Sequence, residues 1–167
     1  GEAAGDWFGY SVASAGDVNG DGYADVIVSG YGNDGAGGAA GEVYVYHGSA
    51  SGLSATPDWS DQGEAAGDYF GRSVASAGDV NGDGYADVIV GANYNDDAGS
   101  NAGEAYVYHG SASGLSATPD WSAVGESSND YFGASVAGAG DVNGDGYADV
   151  IVGAYGDDEN VLSLIKI

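Results

Sequence analysis

Apolar residues in this chain gather in short runs and show no helical spacing. Residues 24–28 read Ala-Asp-Val-Ile-Val, and residues 42–47 read Glu-Val-Tyr-Val-Tyr-His. The first run is almost unbroken, as in a strand buried on both faces. The second is rich in Val and Tyr, which fit a pleated strand. Ahead of both, residues 11–15 (Ser-Val-Ala-Ser-Ala) predict a strand of small side chains, suited to a crowded inner position. A turn-rich stretch at residues 48–52 then leads to a short fourth strand around residues 58–60. No segment combines a helical period with caps.

The pattern then repeats. Residues 1–62 and 63–124 are identical at 50 of 62 positions, and residues 125–167 form a third, shorter copy with a divergent end. Four short strands per repeat predict an all-β fold: a β-propeller built from four-stranded antiparallel blades. A β-solenoid shares the repetition, but its turns are usually much shorter. The expected organisation is one repeat domain over residues 1–167. Its blades are 1–62, 63–124 and an incomplete 125–167. Terminal repeats are often atypical. Residues 161–167 are expected to form the third strand of the last blade, with no fourth strand after it.

Between the first two strands of every repeat lies the same nine-residue stretch, Asp-Val-Asn-Gly-Asp-Gly-Tyr-Ala-Asp, at residues 17–25, 79–87 and 141–149. Oxygen donors occupy its positions 1, 3, 5 and 9, and the position-7 carbonyl can join them. A dense set of hard oxygens on a short loop suits Ca²⁺. Gly20 and Gly22 permit the backbone angles needed to curl around an ion. The opening matches an EF-hand loop, but position 12 is Val28, Val90 or Val152 where a bidentate Glu is required, and the flanks read as strands. The alternative is a solvated acidic turn.

Charge narrows the partners. With 26 acidic residues against Arg72 and Lys166, the net charge is −24. That excludes a binder of nucleic-acid phosphate and argues against docking on an anionic membrane surface. No apolar run approaches the length of a membrane-spanning helix, so no membrane insertion is expected. The chain has no Cys and forms no disulfide.

Phe8-Gly9, the nine-residue loop and a Gly-Ala pair after the second strand together resemble FG-GAP repeats, such as those of integrin α subunits and bacterial surface proteins. The resemblance implies a calcium-stabilised propeller, extracellular or on the cell surface. It implies one Ca²⁺ per loop and about three per chain. The ligands it implies are Asp17, Asn19, Asp21, Tyr23 and Asp25 in the first loop. Asp79, Asn81, Asp83, Tyr85 and Asp87 serve the second, and Asp141, Asn143, Asp145, Tyr147 and Asp149 the third. Phe8, Phe70 and Phe132 are then the aromatics that wedge between blades. The Gly-Ala-Pro triplet of the family is Gly91-Ala-Asn93 and Gly153-Ala-Tyr155 here, and Ser29-Gly-Tyr31 in the first copy. The implied role is adhesion, through loops that bind a protein or glycan. The alternative is a structural subunit whose blades complete a ring or a filament. Partners are therefore a homo-oligomer or the remainder of a larger propeller.

Catalysis is not expected. His47 and His109 each precede Gly-Ser-Ala-Ser-Gly, but Ala50 and Ala112 stand where a nucleophile elbow places Ser. Carboxylate pairs recur in identical repeats, whereas a unique active site would diverge. Trp7, Trp59 and Trp121 could stack on a sugar ring, although packing explains them as well. The repeats differ most at residues 29–39 and 91–101, a loop position where binding commonly resides.

Overall fold

The structure, a computed structural model, describes residues 5–156 and the backbone of residues 163–165. The described strands are β1 (Val12–Gly16), β2 (Asp25–Gly30), β3 (Glu42–Tyr46), β4 (Trp59–Gln62), β5 (Ser73–Gly78) and β6 (Asp87–Ala92). They continue with β7 (Glu104–Tyr108), β8 (Trp121–Val124), β9 (Phe132–Gly140), β10 (Asp149–Ala154) and β11 (Ser163–Ile165). β1 to β4 form one sheet in sequence order, β5 to β8 a second, and β9 to β11 a third. All pairings within these sheets are antiparallel. These are propeller blades, two of four strands and one of three.

Strand limits differ slightly from the sequence pattern. The second strand runs on to Gly30, because Ser29 and Gly30 still pair with Val43 and Glu42. The fourth reaches Gln62, which pairs with Glu42. β11 pairs with β10 as the expected third strand of the last blade. Residues 161, 162, 166 and 167 of that expectation lie outside the described residues.

The Val-Ile runs are buried because each sheet packs on its neighbours. Alternate residues of a strand point to opposite faces. Val88 and Val90 of β6 therefore join a core with Val43, Val45 and Phe70, while Ile89 joins another with Phe132, Val150 and Val152. The whole of β6 is buried. The first strands of successive sheets, β1, β5 and β9, lie against one another. Their Ser, Ala and Gly content permits that approach.

The Phe of each Phe-Gly pair depends on the sheet before it. Phe70 is 2% exposed and Phe132 4%. Phe8 is 42% exposed and touches only Tyr44 of its own sheet among the ring contacts. The expectation that these residues wedge between blades holds at Phe70 and Phe132; at Phe8 no preceding sheet lies among the described residues to test it. Behind Phe132, Gly103 adopts φ 82°, and a Cβ there would meet the Phe132 backbone. Only Gly combines that angle with that closeness.

These burials set unequal costs. Phe70→Ala should lower the unfolding free energy by about 3–5 kcal/mol, and Phe8→Ala by less than about 1 kcal/mol. Urea denaturation of the two variants measures the difference.

Candidate metal centre

The three acidic loops are short because their side chains brace their own backbone. In the first, Asp17 Oδ1 accepts from the Asp21 amide at 3.0 Å, and its Oδ2 from the Gly22 amide at 2.8 Å. Asn19 Oδ1 accepts from the Asp21 amide at 3.0 Å, and Asp21 Oδ1 from the Tyr23 amide at 2.9 Å. Asx side chains make such turns readily. Gly20 and Gly22 sit at φ 72° and 88°, as the curl requires. The second loop repeats these bonds through Asp79, Asn81 and Asp83. In the third, Asp141 and Asp145 keep their places. Asn143 instead turns its Nδ2 to Asp149, at 3.1 and 3.3 Å.

The ninth-position Asp behaves differently from the others. Asp25 and Asp87 are fully buried, and Asp149 is 1% exposed. Asp25 Oδ2 accepts from the Val18 amide and Oδ1 from the Gly48 amide, both at 2.8 Å. Asp87 does the same with Val80 at 2.7 Å and Gly110 at 2.8 Å. Each thus ties its loop to the turn after the third strand. Burial pushes the Asp87 carboxyl above the usual range, and the Gly110 and Val80 amides pull it back. This bracing role escapes the sequence, because Gly48 is 23 residues from Asp25.

Among the described residues no three His, Cys, Asp or Glu side chains converge as a ready cage. The donor set nevertheless fits a hard cation. Every donor is an oxygen, and a carboxylate has about four acceptor sites, so accepting one or two amides leaves capacity for an ion. A Ca²⁺ bound there would supply compensating positive charge to Asp17, Asp21 and Asp25 and their counterparts.

The opposite end of the sheets carries a different chemistry. In an antiparallel meander the first and third turns share one end, and the second turn and the connection to the next sheet share the other. At that second end rings form a row from one sheet to the next. Tyr31 meets Tyr69 at 5.4 Å between centroids, Tyr69 meets Tyr94 at 4.9 Å, and Tyr94 meets Tyr131 at 5.3 Å. Trp7 extends the row at one end and Tyr155 at the other. Arg72 places its guanidinium 4.6 Å from the Tyr10 ring centroid, a cation–π contact. Trp7, Tyr69 and Tyr131 all take left-handed φ, from 55° to 56°. The row includes Tyr31 and Tyr94 from the two divergent loops. Its signal in the sequence is the aromatic residue before each Phe-Gly pair.

The FG-GAP repeat model matches residues 8–46, 70–108 and 132–163, each span beginning at a Phe-Gly pair. The chain belongs to the FG-GAP repeat family. Integrin alpha-6 of Gallus gallus is 35% identical over 171 residues, covering 96% of this chain and 15% of that protein. Integrin alpha-6 of Homo sapiens is 36% identical, covering 94% of this chain and 13% of that protein. Integrin alpha-5 of Xenopus laevis is 34% identical, covering 97% and 16%. The chain thus spans under a fifth of the length of these relatives. It is an integrin-alpha-like FG-GAP propeller module. No helix among its described residues is long and apolar enough to cross a membrane.

Other candidates of the FG-GAP repeats fall to structural roles. Trp59 donates from Nε1 to the Ser116 carbonyl at 2.9 Å, joining the first sheet to the second. Trp121 packs on the second core. Asp58 accepts from the His47 amide at 2.8 Å, and this bond holds its carboxyl below the usual range. Asp120 and His109 repeat the pairing. The ring Nε2 of each His is buried with no partner among the described residues.

Two predictions follow from the buried carboxylates. Asp87→Ala would leave two buried amides without acceptors and should lower the unfolding free energy by about 2–5 kcal/mol in denaturant titrations. Glu104 is 5% exposed and accepts from Tyr106 Oη at 2.9 Å. Burial pushes its carboxyl up, the Ser122 and Tyr106 bonds oppose this, and Glu64 and Asp97 add to the rise. The folded chain therefore keeps a proton where the unfolded chain has lost it. Stability falls as pH rises between the unfolded and folded pKa values. Glu104→Gln should melt higher than the wild-type chain near pH 7 and lose that advantage below about pH 4, the ordinary Glu range.

Proposed function

We propose that this chain is a calcium-stabilised, extracellular and non-catalytic adhesion module. It binds a protein or glycan at the end of the blades remote from the acidic loops. One observation supports this above the rest: the two ends of each blade are separated in kind. The acidic loops are the same in all three repeats and self-braced. At the other end lie the divergent loops and the aromatic row. Asp17, Asn19, Asp21, the Tyr23 carbonyl and Asp25 would hold one ion, and the corresponding residues of the other loops one each. The ion would stiffen the connection between the first two strands. Extracellular location and adhesion come from the integrin relatives and are proposed for this chain on that likeness.

A second reading is a structural subunit whose blades complete a ring or a filament. Phe8 is exposed where its counterparts Phe70 and Phe132 are buried, so the first sheet has room for a further sheet, from the same polypeptide or from another copy. Light scattering separates the two readings. An adhesion module stays a discrete particle, and a filament subunit grows with concentration.

Calcium titration tests the metal. Calorimetry should find three sites per chain, with dissociation constants of roughly 10⁻⁴–10⁻³ M, as in extracellular modules. At millimolar Ca²⁺ each site should add about 1 kcal/mol, so chelation should lower the melting temperature. Asp83→Ala should weaken one site of the three. Absence of binding, together with identical melting with and without chelator, would refute the calcium assignment.

A further inference from the structure

The first two sheets close a pocket between them, and both of its walls lie within the chain. It has a volume of about 210 Å³ and sits between β4, with the connection that follows it, and β7. Pockets for drug-sized ligands run from about 300 to 1,000 Å³, so this one suits a single side chain or a small molecule of that size. Tyr106 and Tyr108 stand two residues apart on β7 and so share a face. With Phe70 they form a buried aromatic wall. Asp61 is half-buried and Glu64 exposed, and both line the pocket. The turn after β7 contributes Pro119 and is tied to the first sheet by the bond from Trp59 to the Ser116 carbonyl.

The lining is acidic, and no basic side chain among the described residues answers it. Asp61 Oδ2 accepts from Tyr108 Oη at 2.8 Å, and its Oδ1 from the Gln62 amide at 2.9 Å. A carboxylate has about four acceptor sites, so about two remain for a ligand. Burial pushes the Tyr108 hydroxyl above its ordinary range, and the charges of Asp61 and Glu64 add to the rise. Both carboxylates therefore act on the interior of the pocket. Arg72, the one Lys or Arg among the described residues, is held over the Tyr10 ring instead. His47 and His109 face Asp58 and Asp120.

This chemistry is confined to the first junction. One repeat later Ala123 and Val124 replace Asp61 and Gln62. Ile165 pairs with Val150 as Tyr108 pairs with Val88, so it holds the register position of Tyr108. Acid and phenol are lost together. We propose that the pocket binds an organic cation, an alkylammonium or guanidinium group on a short apolar stem. The stem lies against the aromatic wall and Pro119, and the charged head meets Asp61 and Glu64. Aromatic rings attract such a head, and the low-dielectric wall strengthens its pairing with Asp61. A bare metal ion fits less well, since no three acidic or His side chains converge here among the described residues. The site goes beyond the adhesion reading and is independent of it, because it lies between two sheets and not on the aromatic row.

Nuclear magnetic resonance of the whole chain tests it. The reporters are the Trp59 indole N–H and the Tyr108 ring, whose ring centroids lie 5.0 Å apart. The probes are n-butylammonium, neutral n-butanol and a blocked tripeptide with a central Lys. Salt at about 0.15 M screens diffuse attraction to the net charge of −24. n-Butylammonium should shift both reporters saturably at millimolar concentration, and n-butanol should not. Asp61→Asn keeps an acceptor for Tyr108, and Glu64→Gln changes an exposed side chain. Asp61→Asn should weaken n-butylammonium binding by at least about tenfold, and Glu64→Gln by less. Diffuse attraction would hardly change on removing one charge. A tripeptide that binds as well as n-butylammonium identifies the source as a partner's side chain, and one that fails to bind identifies a free amine; both results support the site. Absence of saturable shifts, equal binding of n-butanol, or n-butylammonium binding unchanged in both variants overturns the proposal.

Discussion

Val88 and Val90 look toward the first sheet while Ile89, between them, looks toward the third. No four-stranded sheet can cover both of its own faces, so each blade draws its burial from its neighbours. The sequence answers this constraint at several levels. The second strands are apolar on both faces, and the first strands are small enough to crowd together. The Phe before each Gly is delivered into the junction. The same dependence makes Phe8 and Val12 exposed, because their burial belongs to a different sheet from their own.

Against that framework the acidic loops are local structures. Asp17, Asn19 and Asp21 satisfy amides two to five residues away. Such a loop needs little from the rest of the molecule to hold its shape. The link to the blade is made by Asp25 and Asp87, whose carboxylates reach the turn after the third strand. The acidic ends of the first two blades are therefore joined to their sheets by a buried carboxyl group. The aromatic end is joined by ring contacts between sheets.

Much of this was readable in the residues. The repeat, the four strands, their order, the FG-GAP likeness and the oxygen-rich loops all depend on local patterns, and β2, β3, β6 and β7 lie within two residues of where alternation and apolar runs place them. Less readable were the partners of the ninth-position Asp, which looks like one more loop oxygen. The aromatic row was also hidden, since Tyr31 and Tyr94 occupy non-equivalent positions of their repeats. Tyr94 falls where the first repeat has Gly32, yet both rings meet Tyr69.

By itself the sequence determined the number and kind of strands, the position of the acidic loops and the supply of oxygen donors. Each of these is set within a few residues by backbone preference, alternation and side-chain chemistry. Only the tertiary structure decided which face of each strand meets which sheet, and where the Asp25 carboxylate finds its amides. It also decided that Phe70 is buried while Phe8 is not. These are contacts between residues tens of positions apart, and identical repeats acquire different surroundings once each has its own place in the array.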